Sequence, residues 1–574
     1  MKLFFILSIL ISAIGLVFGD SKGQLLYTPT DPKAEFNQYA RIIKLEHAGN
    51  LNGRLLAIFE HWPATAKQGA PAHFILRSSD DHGSSWSTLA TVEDPMKGPG
   101  HPASFAWEPF LFEYPQTLGK YPEGTLLLVA NMLNKYTNIT NFMSWRSPDH
   151  GKTWNPIGIW QNATGAKKCI WEPFLALDSK GRLLAYFSDE REEQQHSQML
   201  VHVTSTDGGD TWGSVVRDVV SSVPSHRPGM ATVARMGSQG KYVMSYEVCN
   251  DGPNCPAHYK FSDDGYNWNP SDLGQAVLTS DNRYPGHSPY VAYVQETDKL
   301  VLSSHLVFLN TSNSYTSESK RSIFIKASDS DVWHWAPAPW SVSNASTACN
   351  SNYSPDLMPI GSDGIIRYTA PTSIGSSGAC GEGTGIAPVG VLPYHSDFST
   401  SGDAGWNDFD GTWTTTNGVY KVDTGSRPGA KALTGTTGWT AYAIDVDIMV
   451  DTAKDAAGVL GRITNPGMGT NLYHGYSAVI NTGTGTFFIA RQAATLQTLA
   501  TTTVKEGLQS NVWYHIHFEL SQFQFKAVLT TKNGSQLASL TTTDTQKSFG
   551  NGMAGLRVQN GSASFQNFVV VAST

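Results

Sequence analysis

Charge is scarce in this chain. Asp, Glu, Lys and Arg make up 15% of 574 residues, the net charge is −8, and no run of Lys and Arg is available to follow a phosphate backbone. This composition argues against a nucleic-acid partner and suits a neutral polymer. Helical 3.6 periodicity is largely missing. Beyond the first nineteen residues, no stretch approaches the roughly 20 uninterrupted apolar residues of a spanning helix, so no membrane association is expected. Cysteine is sparse as well, with five residues. Cys249 and Cys255 are expected to close a small loop, Cys349 and Cys380 to form the next pair, and Cys169 to remain as a buried, inert thiol. No His/Cys cluster with zinc spacing accompanies Cys169, and no metal site or cofactor is assigned; the scattered Asp residues of the carboxy-terminal part could bind calcium but form no ligand-spaced loop.

What the sequence does contain begins with an export signal. Lys2, the apolar stretch Leu3–Phe18, and Val17 and Gly19 before Asp20 read as a cleaved leader over residues 1–19, implying a secreted, extracellular protein. Asn-x-Ser/Thr sites at Asn138, Asn162, Asn310, Asn344, Asn352, Asn533 and Asn560 are compatible with a glycoprotein. The remaining chain exceeds the ~250–300 residues at which one core stops growing, so at least two domains are expected.

A recurrent signature sets the fold of the first. Ser79, Asp81, Gly83 and Trp86 recur as Ser147, Asp149, Gly151 and Trp154, then as Ser205, Asp207, Gly209 and Trp212. A weaker copy has Asp263, Gly265 and Trp268, with Phe261 at the serine position, and Trp335 lies in a degenerate fifth. These are Asp-boxes: Asp caps turn amides, Gly supplies a positive φ and Trp packs beneath, between two outer strands. Their role is structural. A second repeat counts the units. Short openings at Tyr39–Ile43, Trp107–Leu111, Trp171–Leu175, Arg227–Ala231, His287–Val291 and Tyr353–Leu357 each lead into a strongly apolar strand: Arg54–His61, Thr125–Asn131, Arg182–Glu190, Lys241–Glu247, Lys299–His305 and Gly364–Tyr368. Six units over residues 20–394 predict an all-β, six-bladed β-propeller of four-stranded blades.

Blades of this kind converge through their inner strands, so the polar residues at those strand ends should surround one pocket. They are Arg41 with Glu60 and His61, Glu108 with Asn131, Glu172 with Asp189 and Glu190, Arg227 with Glu247, His287 with His305, and Tyr353 with Tyr368. Strand interiors disfavour Asp, Glu and Asn, and buried charge is costly, so their recurrence points to a functional centre. Glycoside hydrolysis needs two carboxyl groups across the scissile bond, one as proton donor and one as nucleophile or base. Trp107 and Trp171 add flat faces on which sugar rings stack.

The Asp-boxes together with Trp171–Phe174, Arg227–Ala231 and Ser245–Cys249 resemble glycoside hydrolase family 93, the exo-1,5-α-L-arabinanases, over roughly residues 30–394. The resemblance implies release of arabinobiose from the non-reducing end of linear α-1,5-arabinan with retention of configuration. It implies Glu172 and Glu247 as the catalytic pair, with Glu172 the preferred nucleophile and Glu247 the acid/base. Arg41, His61, Trp107, Glu108, Trp171, Arg227, His287 and Tyr353 are the candidate substrate contacts. A sialidase would grip a carboxylate with three arginines, here Arg41, Arg227 and Arg283, and would need an acid/base Asp soon after the first. No Asp occurs between Arg54 and Asp80. A propeller that only binds glycans is the other alternative.

Residues 395–404 read as a linker. Residues 405–574 are again strand-like and predict a β-sandwich resembling concanavalin- and laminin-G-like modules, a possible carbohydrate-binding module with Trp406, Trp439, Tyr473 and Tyr476 as candidate contacts. The protein is expected to act as a monomer on plant cell-wall arabinan.

Overall fold

The computed structural model describes residues 23–31, 35–63, 73–94, 104–134, 139–163, 169–237, 240–343, 349–361, 363–374, 379–399 and 402–573. The expected leader and the sites Asn138 and Asn344 lie outside them. The described chain is all-β, relieved by short 3-10 turns, and no helix in it is long and apolar enough to cross a membrane.

Six four-stranded antiparallel sheets follow one another along residues 24–388. Sheet 1 orders Phe36–Lys44, Leu55–Trp62, His73–Ser79 and Ser87–Val92. Sheet 2 begins at Ser104–Glu113 and Leu126–Asn134, and sheet 3 at Ile170–Leu177 and Leu183–Asp189. Sheet 4 begins at Arg227–Met236 and Lys241–Cys249, and sheet 5 at Tyr290–Val294 and Lys299–Ser303. Sheet 6 contains Asp356–Ile360, Ile365–Ile374 and Ala379–Pro388, and its fourth strand is Gln24–Tyr27 from the other end of the region. The second strands are apolar on both faces because each is covered on both sides: every residue of Leu183–Asp189 is buried. An apolar cluster joins each neighbouring pair of sheets, such as Ile58 with Leu128, Val129 with Phe187, and Val301 with Ile366. The series closes from sheet 6 to sheet 1 through Leu26 and Ile42. Gly383 and Gly385 are required at the seam, since a Cβ there would meet the Trp340 indole at 2.7 and 2.6 Å.

The Ser-x-Asp turns connect third and fourth strands. At Asp149 the carboxylate accepts the Thr153 N–H (2.9 Å) and hydroxyl (2.7 Å) and the Ser147 hydroxyl (2.9 Å), while Trp154 Nε1 donates to Gly151 O at 3.1 Å. The fourth turn corrects the sequence alignment. Its serine is Ser262, which accepts the Gly265 N–H at 3.0 Å, and its acid is Asp264, which accepts the Asn267 N–H at 2.7 Å; the loop is one residue shorter, so Phe261 and Asp263 fall outside the motif. In sheet 5, Trp333 immediately precedes the fourth strand as Trp86 does in sheet 1, whereas Trp335 lies within the strand His334–Pro337. Disulfides join Cys249 to Cys255 and Cys349 to Cys380, and Cys169 is free and buried, as the spacing predicts.

Beyond Pro388, an eight-stranded and a seven-stranded sheet pack over one core. Trp513–Ser521 shows the reason in its alternation: Tyr514, Ile516, Phe518 and Leu520 point inward, while His515, His517 and Glu519 face out. Tyr394–Ser396 already pairs with Ser562–Ala572, so this sheet begins inside the stretch read as a linker. Trp406, Trp439 and Tyr476 fill the core, and Tyr473 is buried in the cluster shared with sheets 4 and 5. That cluster, in which Trp333 and Trp335 meet Phe409, Leu460 and Met553, joins the two regions.

Candidate active site

Four of the six sheets bulge at the same place in the inner strand, and the other two make the matching turn just before it. The pairing register slips between Gln38 and Arg41, Trp107 and Phe110, Trp171 and Phe174, and Gly229 and Thr232. Inside these bulges, Tyr39, Glu108, Glu172 and Met230 adopt φ of 63°, 54°, 54° and 59°; Ser288 and Ser354 match them with 41° and 50° in sheets 5 and 6. Six non-glycine residues in left-handed conformation store strain of order 1–3 kcal/mol each, and such bulges re-aim side chains. Four of them aim at one place. Tyr39, Glu172, Met230 and Ser354 line a single small cavity at the hub with Arg41, and Phe110 and Pro289 complete it from the other two units.

The freed bulge amides are satisfied from the neighbouring sheet. Glu60 Oε1 accepts the Glu108 N–H at 2.8 Å, Glu108 Oε2 accepts the Glu172 N–H at 2.7 Å, and Ser188 Oγ accepts the Met230 N–H at 3.1 Å. Glu247 Oε2 accepts the Ser288 N–H at 2.8 Å, and Ser288 Oγ accepts the Ser354 N–H at 3.0 Å. Carboxylates thus do structural work normally left to water. Glu172 and Glu247 flank one segment: Ser188 links Glu172 Oε2 (2.6 Å) to the Met230 amide, and Glu247 pairs with Gly229 across the sheet. Burial is the largest cause raising the Glu172 carboxyl well above its ordinary range, and the charges of Glu108 and Glu247 add to it. Burial likewise raises Glu247 to about 7, against the pull of the Ser288 amide and Arg227. Glu108 is raised by burial, and Glu60 is pushed up to about 8. Several carboxyl groups crowded together cannot all ionise at neutral pH, so some hold protons.

The remaining candidates divide by position. Trp107 and Trp171 are partly exposed beside the first two bulge glutamates, with ring centroids 6.0 Å apart. Tyr353 reaches the hub, its hydroxyl 3.8 Å from Met230 Sδ, and feels the charges of Glu172 and Glu247. His287 Nδ1 lies 3.9 Å from Glu247 Oε2, its imidazole pushed down by burial. Arg41 and Arg227 are engaged internally. Arg41 is 5% exposed and donates to Ser354 O (2.9 Å) and Oγ (2.7 Å); Arg227 binds Glu190 and Gln198 Oε1. His61 is buried behind the hub, held by Asn37 Oδ1 at 2.7 Å. Asn352 is fully buried, and its amide donates to Ser304 O and His305 O at 2.9 Å, which leaves no room for a glycan.

The three arginines of the sialidase alternative do not converge, since Arg283 is locked between Asp281 and Glu318 beside Asn465 of the second region. Glu247, His287, Cys249 and Cys255 come within 4.8 Å of one another. The two sulfurs bond each other, so this group offers a metal only Glu247 and His287. Sequence reasoning missed Tyr39, Met230, Ser188 and Ser288. The signal for four of the ring positions was the proline that follows Glu108, Glu172, Ser288 and Ser354.

No protein-family model and no curated protein matches the chain. Solved structures do. An α-L-arabinofuranosidase from Fusarium graminearum in complex with an iminosugar inhibitor is 24% identical, with a TM-score of 0.51 over 64% of this chain and 98% of that one. The Penicillium chrysogenum α-L-arabinanase complexed with arabinobiose is also 24% identical, with a TM-score of 0.52 over 63% and 97%. A Fusarium graminearum α-L-arabinofuranosidase of glycoside hydrolase family 93, bound to arabinobiose, gives 0.50 over 65% and 97% at 24% identity. At this identity, what is shared is the fold.

Proposed function

We propose that the chain is a secreted, exo-acting glycoside hydrolase of the family 93 type. It consists of a leader (1–19), a six-bladed catalytic propeller reaching Pro388 and a β-sandwich that begins at Tyr394, and it releases arabinobiose from linear α-1,5-L-arabinan as a monomer. The observation that carries the reading is that Glu172 and Glu247, from neighbouring sheets, come to the same Gly229–Met230 segment, both half-buried and both raised above ordinary carboxylates. The shared fold with proteins that bind arabinobiose supports the substrate.

In this mechanism Glu247 protonates the departing glycosidic oxygen, and a value near 7 keeps enough of it protonated to do so. The Glu172 carboxylate attacks the anomeric carbon, and Glu247 then takes a proton from the water that releases the sugar. Trp171, Trp107 and Tyr353 offer the rings to stack on. A retaining reaction calls for carboxyl groups about 5–5.5 Å apart.

The test is product analysis on debranched arabinan, with a fluorogenic sialoside and unhydrolysed pull-down on insoluble polysaccharide as comparison arms. Arabinobiose appearing first as the α-anomer by NMR is the expected result. Sialic acid release, or binding without new reducing ends, would overturn the assignment.

A further inference from the structure

The hub contains a residue whose hydrogen-bond inventory has only one solution. Ser188 is fully buried, on the second strand of sheet 3, and its hydroxyl has two polar neighbours. The Met230 backbone N–H, 3.1 Å away, can only donate, so Ser188 accepts there. The Ser188 proton then has one place to go, Glu172 Oε2 at 2.6 Å. A serine hydroxyl carries one donor. If Glu172 were protonated on that oxygen and donated to Ser188, the buried hydroxyl proton would be left without an acceptor, a state folded proteins avoid. The Met230 amide is not free to relax the arrangement, because it sits in a bulge fixed at φ 59°.

Resting on the proposed function, we infer that Ser188 is a positioning residue: by donating to Glu172 Oε2 it holds that oxygen as an acceptor, keeps a proton off it, and favours the ionised form in which Glu172 acts as nucleophile. The asymmetry with Glu247 supports this. Glu247 receives a backbone N–H from Ser288 but no hydroxyl, and its other oxygen lies 3.5 Å from the Cys249 sulfur, which has no proton to give. The hydroxyl also fixes the Glu172 rotamer against the neighbouring sheet, since the same oxygen holds the Met230 bulge. Glu60 and Glu108 are each turned toward the next bulge amide, Glu60 Oε1 to Glu108 and Glu108 Oε2 to Glu172.

The experiment uses the full chain and two readouts. The first is the pH profile of kcat/KM on a linear arabino-oligosaccharide. The second needs no substrate: carbodiimide reacts with the protonated carboxyl, and the labelled fraction of the Glu172 peptide is followed against pH by mass spectrometry. In Ser188→Ala the acid limb and the labelling midpoint should both move up by about one pH unit, with kcat reduced about 10- to 100-fold and KM little changed. Ser188→Thr, which keeps the hydroxyl, should restore both positions. Should Ser188→Ala fail to fold by thermal melt, Ser188→Cys keeps the volume, leaves only a weak donor and takes its place. Coincident midpoints in wild type and variant would overturn the assignment. A shifted midpoint in a chain that cleaves no arabinan would leave the Ser188 role standing and reject the substrate.

Discussion

The hub of the six sheets and the core of the two large sheets are built on opposite principles. At the hub, four bulges and two strand entries hold six non-glycine residues at positive φ, and carboxyl groups crowd against one another with few cations between them. In the second region the space between the two sheets is filled by an apolar cluster, from Ile444 and Val446 to Phe518 and Phe565, and a buried acid such as Asp544 is paired, here with Arg491 at 2.7 Å. Its titratable cluster stands on the outer face, where every acid has a base: Asp447 receives His515 at 2.9 Å, and Asp445 receives His517 at 2.9 Å and His515 at 3.1 Å. One region crowds like charges together; the other pairs its charges around an apolar core. The contrast separates the part of the molecule arranged for chemistry from the part arranged for support, and it can be tested by breaking each side.

The largest effect belongs to the hub. Glu172→Gln and Glu247→Gln should each lower turnover on arabinan by about 10³-fold or more, while thermal melting holds or rises, because a neutral amide relieves the crowding. A fall in stability with activity intact would reverse the assignment of that residue. On the other side, Phe518→Ala should cost about 3–5 kcal/mol in denaturant unfolding and leave the activity of the folded fraction unchanged.

Stability against pH should distinguish the regions next. Glu247 near 7 and Glu60 near 8 hold protons in the native state that the unfolded chain releases around 4.5, so the hub's contribution declines as pH climbs from about 4.5 to about 8. Glu60→Gln should flatten that decline in a series of melts. The outer cluster behaves differently in acid. Asp445, held below its ordinary value by His515 and His517, contributes stability above pH 3.8 that disappears as pH falls, and both histidines, raised by Asp445, contribute below pH 6.5 and lose that contribution as pH rises. Asp445→Asn should remove the acid-side loss and leave the hub's slope intact. The smallest effect is expected at a turn: Asp149→Ala should cost about 1–2 kcal/mol without altering kcat, read by the same melts.

The sheets were legible because their signals are local. Apolar strands such as Leu183–Asp189 read clearly, and Ser-x-Asp turns repeat with their tryptophans. The register at the hub was harder to read. Aligning the openings on charge placed Arg41 and Arg227 among the equivalent positions, whereas the bulges place Tyr39 and Met230 there. The prolines after Glu108, Glu172, Ser288 and Ser354 mark the true frame, but Tyr39 and Met230 are followed by alanine, so the pattern fails at two of the places where it was needed. Ser188 was invisible for a different reason: a serine inside an apolar strand announces nothing until its neighbours are known. The aromatics at Trp406, Trp439, Tyr473 and Tyr476 look alike in sequence whether they face solvent or fill an interior, and here they fill it.

The strand Gln24–Tyr27 completes the sheet whose other members end at Pro388, so the circle is fastened by residues more than three hundred positions apart. A ribosome must therefore deliver nearly the whole of that region before its first strand finds a permanent partner, and until then the edge beside Leu26 stays open to other chains.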